Sequence, residues 1–296
     1  MKKKLPPIIF FGTSSYSLTS LRALVEHGFD VVAVVTKPDS RSGRGHKLAQ
    51  PPVKQFAVQR GIPVWQPTKL RDIAADIMAL QPVAGVLVSY GKIIPQAILD
   101  LFTPGIINLH PSLLPQWRGP SPIESAIAHQ NDITGVTLMQ LSAQMDAGPI
   151  YCHESYRLLG RETKPALYEH LFAIGSQLLV RTLPAILSGE LRPLAQKEDL
   201  ASYCQPLSKK QSRIDPTTLS AAAAEAHVRA YVGFPRSRLT IAGRDLIITA
   251  AHPADHPEHP LAVQCRDGAY LVVDQLITPA GKTVSAADYL RGYPLT

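Results

Sequence analysis

The sequence predicts an α/β protein: a parallel sheet with helices on its faces, followed by a small, mostly antiparallel β domain. Three observations predict it. Over the first 190 residues, short apolar runs alternate with helical patterns, the signature of βαβ units. After residue 207 the apolar runs shorten and are punctuated by turn residues. A chain of 296 residues also exceeds the usual size of one domain. The expected division is 1–190, a linker over 191–207 in which Pro193 and Pro206 break any period, and 208–296.

Each element has a local reason. Ile8 to Gly12 is an apolar run and reads as the first strand. Ser14 and Ser15 offer capping hydroxyls to a helix over Tyr16 to His27, which Gly28 stops. Val31 to Thr36 is the second strand. Pro38 to Gln50 reads as a mobile loop, because Gly43 and Gly45 break any regular element. A helix over Pro51 to Arg60 ends at Gly61, and Pro63 to Gln66 is a short strand. Leu70 to Leu80 is helical, Val83 to Ser89 is a buried strand, and Pro95 opens a helix reaching Phe102. Gly105 to His110, Gly135 to Leu141 and Ile150 to Tyr156 read as strands, with a helix over Pro122 to His129. Thr163 to Leu187 is a long amphipathic helix closed by Ser188-Gly189. The plan is Rossmann-like, but a single Gly12 is not the three-glycine dinucleotide fingerprint, which disfavours a nucleotide-dependent oxidoreductase. Beyond the linker, a helix over Leu219 to Tyr231 precedes runs at Leu239 to Ala242, Leu246 to Ala250, Leu261 to Cys265 and Tyr270 to Ile277. They suit a small barrel-like, OB-like domain.

Composition narrows the class. No secretory core follows Met1-Lys2-Lys3-Lys4, since Gly12 ends the only nearby apolar run. No stretch reads as the ~20 apolar residues that span a membrane. Cys152, Cys204 and Cys265 have no metal-like spacing and suit reduced thiols in a cytoplasmic protein. Net charge is +7. Between Lys37 and Arg60, six cations (Lys37, Arg41, Arg44, Lys47, Lys54 and Arg60) face Asp39 alone. Such a segment suits a polyanion, or a solubilising surface.

Asn108-Leu109-His110 is the most informative triplet. Alternation places Asn108 and His110 on one side of a strand at its carboxyl end, where open parallel sheets bind ligands. Two polar groups there are costly in a core. An amide donor beside an imidazole suits a reaction that builds negative charge on a carbonyl oxygen. Asp146, in Met145-Asp146-Ala147-Gly148-Pro149, is a third candidate; alone it reads as a turn former.

Asn108-x-His110, Ser112-Leu113-Leu114-Pro115 with Arg118-Gly119, and Met145-Asp146-x-Gly148 resemble the active-site signature of folate-dependent formyltransferases. The resemblance runs from Phe10 to about Tyr231, and is strongest to the members that formylate a charged initiator tRNA. It implies 10-formyltetrahydrofolate as formyl donor, initiator methionyl-tRNA as acceptor, and no metal. The implied catalytic residues are Asn108 and His110, on the developing oxyanion, and Asp146, which orients His110 and takes the amine's proton. The implied folate contacts are Ser89, Tyr90, Gly91, Ile93, Ile94 and Pro95, with Ser112, Leu113, Leu114 and Pro115. In that loop Gly91 permits close backbone approach, and Ile93 and Ile94 would wall a flat ring. Arg41, Arg44, His46 and Lys47 match the family's basic tRNA-gripping loop, and Lys209 and Lys210 complete the implied tRNA set. A cytoplasmic monomer is expected.

The chain departs from the family pattern in places. The Pro that commonly follows Gly-Thr is missing after Thr13; Pro216 stands where an aromatic residue is usual; Val232 to Arg236 matches only partly. Two other readings compete. A small-molecule formyltransferase, acting on glycinamide ribonucleotide or an amino-sugar nucleotide, would share the trio but needs no basic loop. A non-catalytic RNA-binding protein on the same scaffold needs no Asn108, His110 and Asp146.

Overall fold

The computed structural model describes residues 5–42 and 47–294. They form two compact units, one of residues 5–118, 135–156 and 168–203, the other of 119–134, 157–167 and 204–294.

The first unit is built on a seven-stranded sheet. Its strands, in chain order, are β1 (Pro7–Gly12), β2 (Asp30–Val35), β5 (Val64–Trp65), β6 (Ala84–Val88), β7 (Ile106–His110), β8 (Ile133–Gln140) and β9 (Ile150–Arg157). A separate antiparallel pair is formed by β3 (Ser40–Ser42) and β4 (Lys47–Ala49). The sheet order is β5-β2-β1-β6-β7-β8-β9. The first five strands pair in parallel, and β8 runs antiparallel to β7. Ile8, Ile9, Phe10 and Phe11 are all fully buried. A strand buried on both faces needs a continuous apolar run rather than alternation, as this one has.

Helices α1 (Ser15–Glu26), α2 (Pro52–Gln59), α3 (Ala74–Leu80), α4 (Gln96–Leu99) and, in the other unit, α5 (Pro122–Ala128) precede the long α6 (Lys164–Leu187). The Ser14 hydroxyl caps α1 by accepting the Ser17 N–H at 3.2 Å. Ile73 just before α3, Ile77 of α3 and Ile98 of α4 pack on Ile9, Phe11 and Ile106 of the sheet. On the other side α6 approaches so closely that a Cβ at Gly175 would lie 2.8 Å from Leu109. A buried Ser20–Ser176 contact of 2.8 Å joins α6 to α1.

Four details differ from the sequence expectation. Residues 40–42 and 47–49 pair as two short antiparallel strands, where a mobile loop without regular structure was expected; each segment meets the other's backbone hydrogen bonds. The helix expected over Leu70 to Leu80 begins as a 3-10 turn, Leu70–Ile73. The helix expected from Pro95 to Phe102 is one turn long. Finally, α6 is long and apolar enough by composition to cross a membrane, with mean hydropathy 1.3. Its Leu171, Phe172, Leu178, Leu179, Leu183 and Ile186 are instead buried in the protein.

In the second unit, α7 (Ala221–Ala230) lies on an antiparallel sheet of β10 (Ser237–Ile241), β11 (Arg244–Ala254), β12 (Ala262–Gln264), β13 (Tyr270–Ile277) and β14 (Thr283–Ser285), followed by α8 (Ala286–Gly292). The order is β10-β11-β13-β12, with β14 on β13. Leu239, Ile241, Leu246, Ile248, Leu271, Val273 and Leu276 form its core with Ala224 and Val228 of α7. Ala221 and Ala224 are buried in this core, and their small side chains let α7 sit close on the sheet. His227 is held in this unit by Ser237 Oγ at 2.9 Å and by the Gln211 carbonyl, to which its Nε2–H donates at 2.8 Å.

Candidate active site

Strand β7 places the first two candidates. Leu109 faces α6, so Asn108 and His110 point to the opposite face, the one Ile106 shares with α3 and α4. Asn108 is 6% and His110 5% exposed.

His110 is fixed by the loop that follows it. The Trp117 carbonyl accepts from Nε2 at 3.1 Å, which puts the ring proton on that nitrogen. Trp117 adopts φ +58°, a backbone conformation costly for a bulky residue, and this aims its carbonyl back at the ring. The other ring nitrogen, Nδ1, lies 3.7 Å from Asp146 Oδ2. That is within ion-pair range but too long for a formed hydrogen bond. The structure therefore brings the three catalytic candidates of the sequence toward one strand end: Asn108 and His110 share a face, and Asp146 stands against the imidazole.

Asp146 itself sits at φ +49°. Its backbone is held by a residue without a local sequence signal. Gln196 Nε2 donates to the Asp146 carbonyl at 2.8 Å and to the Gly148 carbonyl at 2.7 Å. Gln196 Oε1 in turn accepts from Arg118 Nε at 3.0 Å and Nη2 at 2.8 Å. Arg118 is 1% exposed and also makes a two-pronged contact with Glu198, at 2.9 and 2.8 Å, and one with the Tyr203 hydroxyl at 3.0 Å. The hydrogen bonds from Arg118 hold the Glu198 carboxyl below the usual carboxylate range.

The predicted folate residues fall into two groups. In the loop after β6, Ser89 and Gly91 take φ +48° and +71°, giving a sharp turn with exposed backbone. Ile93 is 87% exposed, while Ile94 is buried, so only Ile93 presents an apolar surface there. Tyr90 is fully buried edge-on to Phe11, and burial pushes its hydroxyl up to about 12. Its side chain belongs to the core; its carbonyl accepts from Thr13 Oγ1 at 3.0 Å. Pro95 caps α4. In the second group, Ser112 is buried and donates to the Gln116 carbonyl at 2.6 Å. Leu114 is buried, and its N–H donates to Thr137 Oγ1 at 3.1 Å. These two side chains shape the loop from inside, leaving Leu113 and Pro115 partly exposed.

Of the basic candidates, Arg41 is exposed on β3. Arg44 and His46 lie outside the described residues, as does the Lys47 side chain. Lys54 does not add to the basic surface, because Asp39 and Gln66 bind it at 2.8 Å. Arg60 lies over the Phe56 ring, 5.1 Å from its centroid. In the second unit Lys209 and Lys210 are exposed on a single 3-10 turn, Lys209–Ser212. A 500 Å³ cleft at the carboxyl ends of β1 and β2 is lined by Thr13, Lys37, Asp39 and Lys92. A larger one, 920 Å³, lies in the second unit among Arg157, Arg161, Glu225 and Arg229, and none of the candidate residues lines it. No cluster of three or more metal-ligating side chains occurs among the described residues.

A mostly parallel sheet carrying Asn-x-His at a strand end, with an Asp across from the imidazole, is the arrangement of a group-transfer enzyme working on a carbonyl carbon. The chain belongs to the formyl transferase family: residues 7–183 match its formyl transferase domain and residues 206–294 its C-terminal domain. The methionyl-tRNA formyltransferase of Myxococcus xanthus (strain DK1622) is 39% identical, covering 98% of this chain and 96% of that protein. The methionyl-tRNA formyltransferase of Stutzerimonas stutzeri (strain A1501) is 40% identical over 95% and 93%. In fold, the chain matches an N-formyltransferase from Helicobacter canadensis, crystallised with folinic acid and dTDP-3-aminofucose. The TM-score is 0.71 and the identity 17%, over 91% of this chain and 98% of that one.

Proposed function

We propose that the protein transfers the formyl group of 10-formyltetrahydrofolate to the α-amine of initiator methionyl-tRNA, in the cytoplasm, as part of translation initiation. The observation that carries the chemistry is the buried Asn108 amide on the same strand face as His110, with Asp146 Oδ2 at 3.7 Å from Nδ1. The choice of acceptor rests on relatives 39% and 40% identical over nearly the whole chain.

The reaction asks for little beyond these groups. The amine attacks the formyl carbon, and negative charge builds on the formyl oxygen. Asn108 donates a hydrogen bond to that oxygen. His110 Nε2 is engaged by Trp117, so Nδ1 is the nitrogen a substrate atom can reach, and it supports the oxyanion when protonated. Asp146 stabilises the imidazolium and accepts the proton that the amine sheds, through one bridging water. The C–N10 bond then breaks, and N10 takes that proton back. Protons balance, and no protein nucleophile is used. The turn at Ser89 to Pro95, with Ile93 outward, and the Leu113–Pro115 segment are the proposed folate walls. Arg41, Arg44, His46, Lys47, Lys209 and Lys210 are the proposed phosphate contacts.

A competition assay tests the reading. Equal concentrations of charged initiator tRNA, glycinamide ribonucleotide and an amino-sugar nucleotide are offered with the folate donor. Formylation of the tRNA is expected. Transfer to either small acceptor in preference to it overturns the acceptor assignment.

A further inference from the structure

Segment 194–203 shows no periodicity, yet it joins the two loops that hold the reacting side chains. At one end Leu194 and Ile150 exchange backbone hydrogen bonds of 2.8 and 2.7 Å. At the other, Ser202 accepts from Arg118 N–H at 2.9 Å, donates its own N–H to the Pro115 carbonyl at 3.2 Å, and accepts from Trp117 N–H through Oγ at 2.9 Å. Trp117 holds His110, and residues 146–148 carry Asp146. Gln196 lies between them, with both amide N–H donors on the Asp146 and Gly148 carbonyls and its oxygen on two donors of Arg118.

We infer that Gln196 is a positioning residue that sets the place of Asp146 relative to His110. The case is chemical. Asp146 holds a positive φ, and its carboxylate stops 3.7 Å from Nδ1, room for a substrate atom or proton to intervene. A loop in that conformation keeps its place only if the surroundings over-determine it. The Gln196 amide supplies that constraint, and the Arg118 guanidinium, buried and clamped by Glu198, fixes the amide's orientation so that the N–H side must face the two carbonyls. A carboxylate in the same place could accept from Arg118 but could donate nothing.

The inference rests on the reading of Asp146 as proton acceptor, and the experiment separates the two. Single-turnover formylation of charged initiator tRNA is measured for wild type, Gln196→Ala, Gln196→Glu, Asp146→Asn and the Gln196→Ala/Asp146→Asn double variant. Both Gln196 variants should lose about 10–100-fold in rate, as a displaced catalytic group does, with KM for donor and tRNA changed by no more than about threefold. Gln196→Glu keeps the contact with Arg118, so it guards against a simple failure to fold, which circular dichroism and binding of a folate analogue monitor. In the Asp146→Asn background, Gln196→Ala should cost nearly nothing further, because its effect passes through the missing carboxylate. An equal loss in both backgrounds overturns the inference, as does a Gln196→Glu protein at wild-type rate. A wild-type rate in Asp146→Asn alone overturns the reading of Asp146, and the inference with it.

Discussion

Gly148→Ala is the perturbation whose size the structure fixes most tightly. A Cβ at this position would stand 1.9 Å from the Gln140 carbonyl oxygen and 3.0 Å from Met139 Cε. Contacts below 3.0 Å do not occur at real Cβ atoms, and the obstacle is backbone, so residue 148 must move by more than 1 Å. That movement strains the 2.8 Å bond from Gln140 N–H to the Pro149 carbonyl and the two bonds from Gln196. Asp146 lies two residues away and has to meet His110. A displacement of about 1 Å in a catalytic group costs on the order of 10²-fold in rate. Overpacking adds about 1–3 kcal/mol of destabilisation. The assay is steady-state formylation of charged initiator tRNA, with thermal melting and titration by a folate analogue on the same sample. The expected result is a folded protein of lower melting temperature, with folate binding kept and kcat down about 10²-fold. A folded variant with kcat unchanged refutes the reasoning that this loop fixes the Asp146 carboxylate.

Asn108→Ala and His110→Ala should each lower kcat by about 10²–10³-fold, the scale for one lost oxyanion donor, with folate affinity little changed; turnover measurements and analogue titration check both. Replacing Arg41, Arg44 and Lys47 together with Ala should raise KM for tRNA and flatten its salt dependence, with a slope change of about 0.7–0.9 per lost phosphate contact in a salt titration. Burial pushes His227 down to about 4, from 6.5 for an unhindered histidine. Between those values the unfolded chain binds a proton that the folded one refuses, so stability is full above pH 6.5 and falls as pH drops toward 4, by about 3 kcal/mol in all. His227→Gln should remove that slope, measured by calorimetry and by amide exchange in α7; fluorescence would miss it, since Trp65 and Trp117 lie in the other unit.

What was legible in the sequence is what is local. Alternation in Ile106 to His110 places Asn108 and His110 on one face without any tertiary information, because a strand has period two. The fully apolar Ile8 to Phe11 likewise announces a strand buried on both sides. Gln196 was not legible: it lies 78 residues from Arg118 and 50 from Asp146, and an isolated Gln in an aperiodic segment carries no signal. Residues 191–207 read as a linker because Leu194 and Tyr203 among them meet the rest of the fold by isolated bridges instead of a ladder. Lys54 counted as a free cation because its partnership with Asp39 and Gln66 depends on folding. Helix α8 has a local signal, Ser285 three residues before Asp288, and the Ser285 hydroxyl accepts the Asp288 N–H at 3.1 Å.

The central claim is that Asp146, set against His110, takes the proton of an aminoacyl-tRNA amine as the formyl group arrives. Single-turnover formylation of initiator methionyl-tRNA, with folate donor and enzyme both saturating, tests it in the Asp146→Asn protein. This substitution keeps the shape of the side chain and the backbone bonds to Gln196 while removing the acceptor. The account predicts a folded protein that binds the folate analogue and the tRNA, and transfers formyl at least about 10²-fold more slowly than wild type. Transfer at the wild-type rate contradicts it.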